Sequence, residues 1–283
     1  MRRLTFAVAL LTAGVTSGVA PAQDFVAPSP AGPAGDPLAL LEGAPPATPA
    51  PFAVAGATTR GFGLPDLVTR ATALAGTRRG AVAAAGLSQT GDPEQGWTAF
   101  GLVLGGAERG AGGSIRAIVR RDRAPDPAPG PLGKGVGLEA GAAAWVAAGG
   151  GIALWASAPQ LRVRGAAPPL RRGLEIGGLW HAPAGGLWLT RRAAPPGASA
   201  PADHELGLSL AAGPCAVWGR ARDAPLRGGI GVAAQAGVVR AAAEVSSHPV
   251  LGETVSLMVM LERRGGGHAP VEPPSVPSSD ALP

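Results

Sequence analysis

Between about Leu67 and Glu262 the chain is a succession of short apolar or alternating segments, each cut off by a glycine-bearing turn. None offers a plausible interior helix, so the pattern predicts hairpins. Alternation is cleanest at the end: Val255, Leu257, Val259 and Leu261 share one face, and Thr254, Ser256, Met258 and Met260 the other. Leu206, Leu208 and Leu210 likewise oppose Glu205, Gly207 and Ser209, while Ile115, Ala117 and Val119 oppose Ser114, Arg116, Ile118 and Arg120. Polar side chains recurring on one face in mid-strand require that side of the sheet to be wet or polar.

The predicted strands cover 67–77, 80–88, 97–105, 114–121, 135–147, 152–157, 174–181, 186–191, 206–210, 215–222, 229–236, 238–245 and 254–261, with a weaker candidate at 52–57. This gives twelve to fourteen strands. Turn chemistry is densest at Gln89 to Gly96, at Gly149-Gly150-Gly151 and at Ala211-Ala212-Gly213-Pro214. In 135–147 alternation places Val136, Leu138 and Val146 opposite Glu139 and Trp145, although alanine and glycine occupy much of both faces.

Ahead of the strands, Met1-Arg2-Arg3, an apolar run from Leu4 to Val15 and Ala20-Pro21-Ala22 have the form of a secretory signal, with cleavage expected after Ala22. The expected organisation is a signal peptide at 1–22, a Pro/Ala/Gly-rich periplasmic lead-in at 23–50, a barrel at 51–263 and a flexible tail at 264–283. The lead-in holds one short apolar knot, Pro37 to Leu41, and reads as a lead-in or as a plug-like strap folded against something larger. Export argues against nucleic acid as a partner despite the net charge of +5, and the arginines are scattered or paired near turns rather than massed. Cys215 is the single cysteine, so an exported chain has no internal disulfide to rely on. It reads as a quiet strand residue rather than a reactive thiol.

A soluble sandwich or propeller needs a thick interior of large side chains, and six Trp, five Phe and no Tyr are a thin supply for one. A membrane barrel needs less, because lipid solvates its apolar outer face and closure pairs every backbone group. The expected fold is therefore all-β: an antiparallel transmembrane β-barrel of about 12–14 strands. Trp97, Trp145, Trp155, Trp180, Trp188 and Trp218 fall near strand ends, where a barrel would hold them at its interfaces and a soluble protein in its core.

Catalytic signatures are missing. No phosphate loop or Gly-x-Ser-x-Gly occurs, and His181, His204, His248 and His268 have no metal-ligand spacing. Asp92, Glu94, Asp122 and Asp126 read as solvated turn residues. Hence no enzyme, cofactor or metal is expected. In a barrel, Arg116, Arg120, Glu139, Glu175, Arg240 and Glu244 are candidate lumen-facing groups. Arg116, Arg120 and Arg240 would favour anions; alternatively, arginines and carboxylates pair with one another and select nothing.

Three stretches carry a family resemblance: Gly63-Leu64-Pro65-Asp66-Leu67, Gly86-Leu87-Ser88-Gln89-Thr90-Gly91-Asp92-Pro93, and Ser247-His248-Pro249-Val250-Leu251-Gly252-Glu253-Thr254 before the last strand. The pattern resembles the outer-membrane barrels of the FadL-like and PorV-like group. That resemblance implies either carriage of hydrophobic solutes or assistance in secretion and surface attachment. The expected role is an outer-membrane porin-like or hydrophobic-solute transport barrel, with a non-enzymatic envelope or secretion scaffold and a soluble exported β-rich binding protein as alternatives. Expected partners are outer-membrane lipid, a small solute and an envelope protein.

Overall fold

The computed structural model describes residues 36–43, 51–61, 68–92, 96–108, 110–123, 134–165, 173–182, 184–193, 202–223, 226–248 and 252–263. The signal region, most of the lead-in, the tail, Gly63 to Asp66, Pro249 to Leu251, Glu94, Asp126 and His268 lie outside these. Among the described residues fourteen strands follow one short helix, α1 (Pro37–Glu42): β1 (Phe52–Arg60), β2 (Val68–Arg78), β3 (Ala81–Gly91), β4 (Gly96–Glu108), β5 (Ala111–Asp122), β6 (Val136–Gly149) and β7 (Ile152–Gly165) form the first half. The second half is β8 (Glu175–Ala182), β9 (Gly185–Arg192), β10 (Asp203–Ala212), β11 (Cys215–Asp223), β12 (Leu226–Ala236), β13 (Val239–His248) and β14 (Gly252–Arg263). Each strand pairs antiparallel with its sequence neighbours, and β1 with β14, so the sheet is a closed barrel. The weak candidate at 52–57 is the strand that closes it.

At one end of the barrel, only two residues separate the paired strand ends of β2 and β3, β4 and β5, β6 and β7, β8 and β9, β10 and β11, and β12 and β13. In the β6–β7 turn Gly150 and Gly151 both take positive φ (60° and 76°), the mirror-image turn whose twist matches that of the strands. Both chain ends of the barrel, Phe52 and Arg263, meet at this turn end. The longer connections all lie at the opposite, loop end.

The faces follow the alternation. Val255, Leu257, Val259 and Leu261 point out and are 40–54% exposed, whereas Met258 and Met260 point in and are buried. The same holds around the wall, and among the described residues 30 large apolar side chains stand exposed on the surface. That is the inverse of a water-soluble core and more apolar surface than water tolerates without a partner. The soluble alternative is set aside on this ground. On β2 the exposed apolar stretch is bounded by outward Arg70 and Arg78, on β14 by Glu253 and Arg263. These stretches of strand rise about 27 and 34 Å. A tilt of about 40° reduces them to about 21–26 Å, close to the roughly 25 Å apolar belt of a membrane barrel.

Two expectations take a more definite form. Of the two readings of the lead-in, the apolar knot at Pro37 to Leu41 follows the plug-like one: it is a helix inside the barrel, packed against β1 to β4 with Leu38, Leu40 and Leu41 fully buried. Asp36 caps it by accepting from the Leu38 and Ala39 amides at 2.7 and 3.0 Å, Pro37 starts it, and Gly43 ends it with a left-handed φ of 100°. The interface girdle of tryptophans is the second. Trp155, Trp188 and Trp218 are buried and face inward, leaving Trp180 as the outward indole, 47% exposed. Each inward ring covers a cross-strand glycine: Trp155 over Gly177, Trp188 over Gly207 and Trp218 over Gly231. A Cβ on Gly207 or Gly231 would stand about 2 Å from ring atoms, so the glycine makes the room the ring fills.

Candidate functional site in the barrel interior

Inward side chains between the outward apolar ones line the lumen, and α1 divides that lining. On β5, Ile115, Ala117 and Val119 face out, which turns Ser114, Arg116, Ile118 and Arg120 in. Glu139 stands beside them on β6. Its carboxylate lies 2.8 Å from Arg120 and 3.8 Å from Arg116, and accepts from Gln160 Nε2 at 3.0 Å. All three charged side chains are almost wholly buried. Buried guanidiniums need every donor satisfied, and polar backbone helps to do this. Arg116 donates from Nε at 2.9 Å to the Pro159 carbonyl and from Nη1 to the Leu41 carbonyl at the end of α1. Pro159 is in place for this because β7 bulges opposite Gly141, between the Ala142–Ala158 and Ala140–Arg162 pairs. Ser157 adds a 2.7 Å hydrogen bond to the Gly43 carbonyl. The charged cluster of β5 and β6 therefore also anchors the helix.

A second cluster occupies the loop end of β8 to β13. Glu205 accepts from Arg222 Nε at 2.6 Å, from Arg192 Nη1 at 3.2 Å and from Trp188 Nε1 at 3.1 Å. Arg192 also donates to Glu175 at 3.1 Å, and Asp203 lies 3.6 and 3.7 Å from Arg192 and Arg222. Glu244 accepts from Trp218 Nε1 at 2.9 Å and pairs with Arg220. Five of the six candidate residues thus sit in ion pairs: Arg116 and Arg120 with Glu139, Glu175 with Arg192, and Glu244 with Arg220. Arg240 stands apart, half-buried near the turn end of β13, where its charge acts on Asp36 at the start of α1.

Sequence reasoning missed Arg192, Asp203, Arg220 and Arg222 as members of the site, and noted Glu205 only as the face opposite Leu206. The signal was present: outward Leu187 and Leu189 put Trp188, Thr190 and Arg192 inside, and outward Val217 puts Trp218, Arg220 and Arg222 inside. Of the histidines, His204 is on the outer wall, 2.7 Å from Asp223 through Nδ1. Cys215 opens β11 and is exposed. Among the described residues no group of three or more His, Cys, Asp or Glu is arranged to hold a metal ion, and no helix is long and apolar enough to cross a membrane.

The inward wall at mid-depth is dry. Ala99, Val103, Ile118, Trp188, Thr190 and Trp218 are all at most 2% exposed, which an open water-filled lumen would not allow.

No protein-family model and no curated protein matches the chain. Among solved structures, a triple mutant of the Rhodopseudomonas blastica porin is similar at 15% identity, over 75% of this chain and 98% of the porin, with a TM-score of 0.43. The Acinetobacter baumannii outer membrane protein Omp33 is similar at 9% identity, over 76% of this chain and 98% of its own, with a TM-score of 0.48.

Proposed function

We propose that this chain is an outer-membrane barrel of the porin-like kind whose passage is closed by α1, so that a solute crosses only when the helix moves. The observation that carries the reading is an apolar outer wall around an interior of ion pairs that holds the C-terminal end of the helix, through Arg116 at Leu41 and with Ser157 at Gly43. An inner wall of arginines and carboxylates at the loop end suits a polar solute better than a hydrophobic one. Of the two functions attached to the FadL-like and PorV-like resemblance, hydrophobic carriage is therefore the less supported.

Planar-bilayer conductance tests the reading. The full chain should be silent or open only in brief events, whereas deletion of residues 36–43 should give steady openings. A deletion variant that folds as a heat-modifiable barrel and stays silent would overturn gated transport. The second reading, a scaffold whose lumen is permanently filled, would then stand, and the dryness of the mid-depth wall is what favours it.

A further inference from the structure

The outer wall is not uniformly convex. A groove of about 480 Å3 runs over β14, β1, β2 and β3, with Gly56 at its floor and Thr72, Leu87, Leu257 and Val259 on its flanks. A Cβ built on Gly56 meets nothing within 4 Å, so no protein neighbour requires glycine there. The space belongs to whatever lies against the wall.

At the loop side of the groove the register aligns Thr58, Arg70 and Gln89 on adjacent strands, and all three border it. The row continues through Thr98 on β4 to Arg121 on β5, and Arg60 stands one outward position beyond Thr58 on β1. This row is the loop-side edge of the apolar belt, the depth at which lipid headgroups meet a barrel. Arg70 is exposed and has no ion pair among the described residues; β1, β2 and β3 carry no carboxylate along their length, and the outward Glu253 of β14 lies two outward positions beyond Leu257, the partner of Thr58, toward the loops. A second groove, over β9 to β13, has the His204–Asp223 pair on its loop side and so presents a carboxylate near its headgroup position.

We propose that the groove over β14 to β3 docks an anionic phospholipid, its acyl chain along Gly56 and Thr72 and its phosphate on Arg70 and Gln89. A guanidinium offers two parallel donors to a phosphate, and an apolar channel beneath it fits an extended hydrocarbon chain rather than a free anion. The proposal rests on the membrane reading above, and the test separates the two.

The full barrel, purified in detergent and mixed with phosphatidylglycerol or phosphatidylcholine, is examined by native mass spectrometry for retained lipid. Heat-modifiable migration and flotation with vesicles run in parallel. Phosphatidylglycerol should be retained preferentially, and Arg70→Gln should reduce its retention about fivefold, the effect of one basic contact to an anionic headgroup. Gly56→Leu, whose Cβ has open space around it, should reduce retention of both lipids, while Arg78→Gln at the turn end changes neither. Equal retention of the two lipids by a folded, vesicle-bound barrel overturns the proposal and leaves the membrane reading intact. So does retention unchanged in Arg70→Gln and Gly56→Leu, or a groove covered by a second copy, seen as an oligomer that Gly56→Leu dissociates. Failure to float with vesicles at all overturns both.

Discussion

Glu139 holds two guanidiniums at once, and its removal exposes how much of the interior depends on it. Without the carboxylate, two almost wholly buried guanidiniums lose the ion pairs it supplies, and breaking a buried pair by removing one partner costs about 3–5 kcal/mol. Glu139→Gln is therefore expected to lower the urea midpoint of the folded, heat-modifiable form by an amount equivalent to that loss. Replacing Arg120 and Glu139 together by apolar residues should cost less than Glu139→Gln alone. The residue scale is also where the sequence was most readable. Clean alternation assigned Arg116, Arg120 and Ile118 to one face because large Ile115 and Val119 marked the other. Trp188 and Trp218 were harder to read, since an indole suits a lipid interface as well as an interior. What distinguishes them is the glycine directly across the strand, a relation set by register and invisible along the chain.

At the scale of elements, α1 combines weak intrinsic stability with strong attachment. Six residues are too few to hold a helix in water. Its persistence comes from Asp36 at one end, Arg116 and Ser157 at the other, and burial of three leucines between. Loss of the cap in Asp36→Ala removes about 1 kcal/mol. In planar bilayers this should raise the open probability about fivefold without changing the size of single openings. Strands were legible where turn chemistry and alternation agree, less so at 52–57 and 135–147, and the helix was not, because Pro37 to Leu41 is too short to display a period. Its capping pattern, Asp then Pro before an apolar run and Gly after it, was the available signal. Where the segment goes is decided by Gly86, whose missing side chain leaves the space that Leu41 enters.

For the whole molecule, closure depends on a single junction between the two ends of the barrel. β1 and β14 form nine register pairs from Phe52–Arg263 to Arg60–Val255, and nothing else seals the sheet. A chain ending before Gly252 would leave β1 and β13 with unpaired edges in lipid, which the hydrocarbon interior does not tolerate. Such a truncation should lose the heat-modifiable form entirely and accumulate as aggregate, whereas a chain ending after Arg263 should keep it. A circular permutant that joins Arg263 to Phe52 through a short linker and opens at one of the long loops should fold, because it retains every pair.

The β1–β14 junction also sets an order of events in time. The first strand to leave the ribosome waits for the last, so no part of the wall is complete until the final segment has been synthesised and exported. Throughout that interval some thirty large apolar side chains destined for lipid have no membrane around them. α1 precedes β1 in the chain yet finishes inside the ring. The most direct route is for the wall to assemble around it, which makes the plug an early guest of an unfinished barrel rather than a late arrival in a finished one.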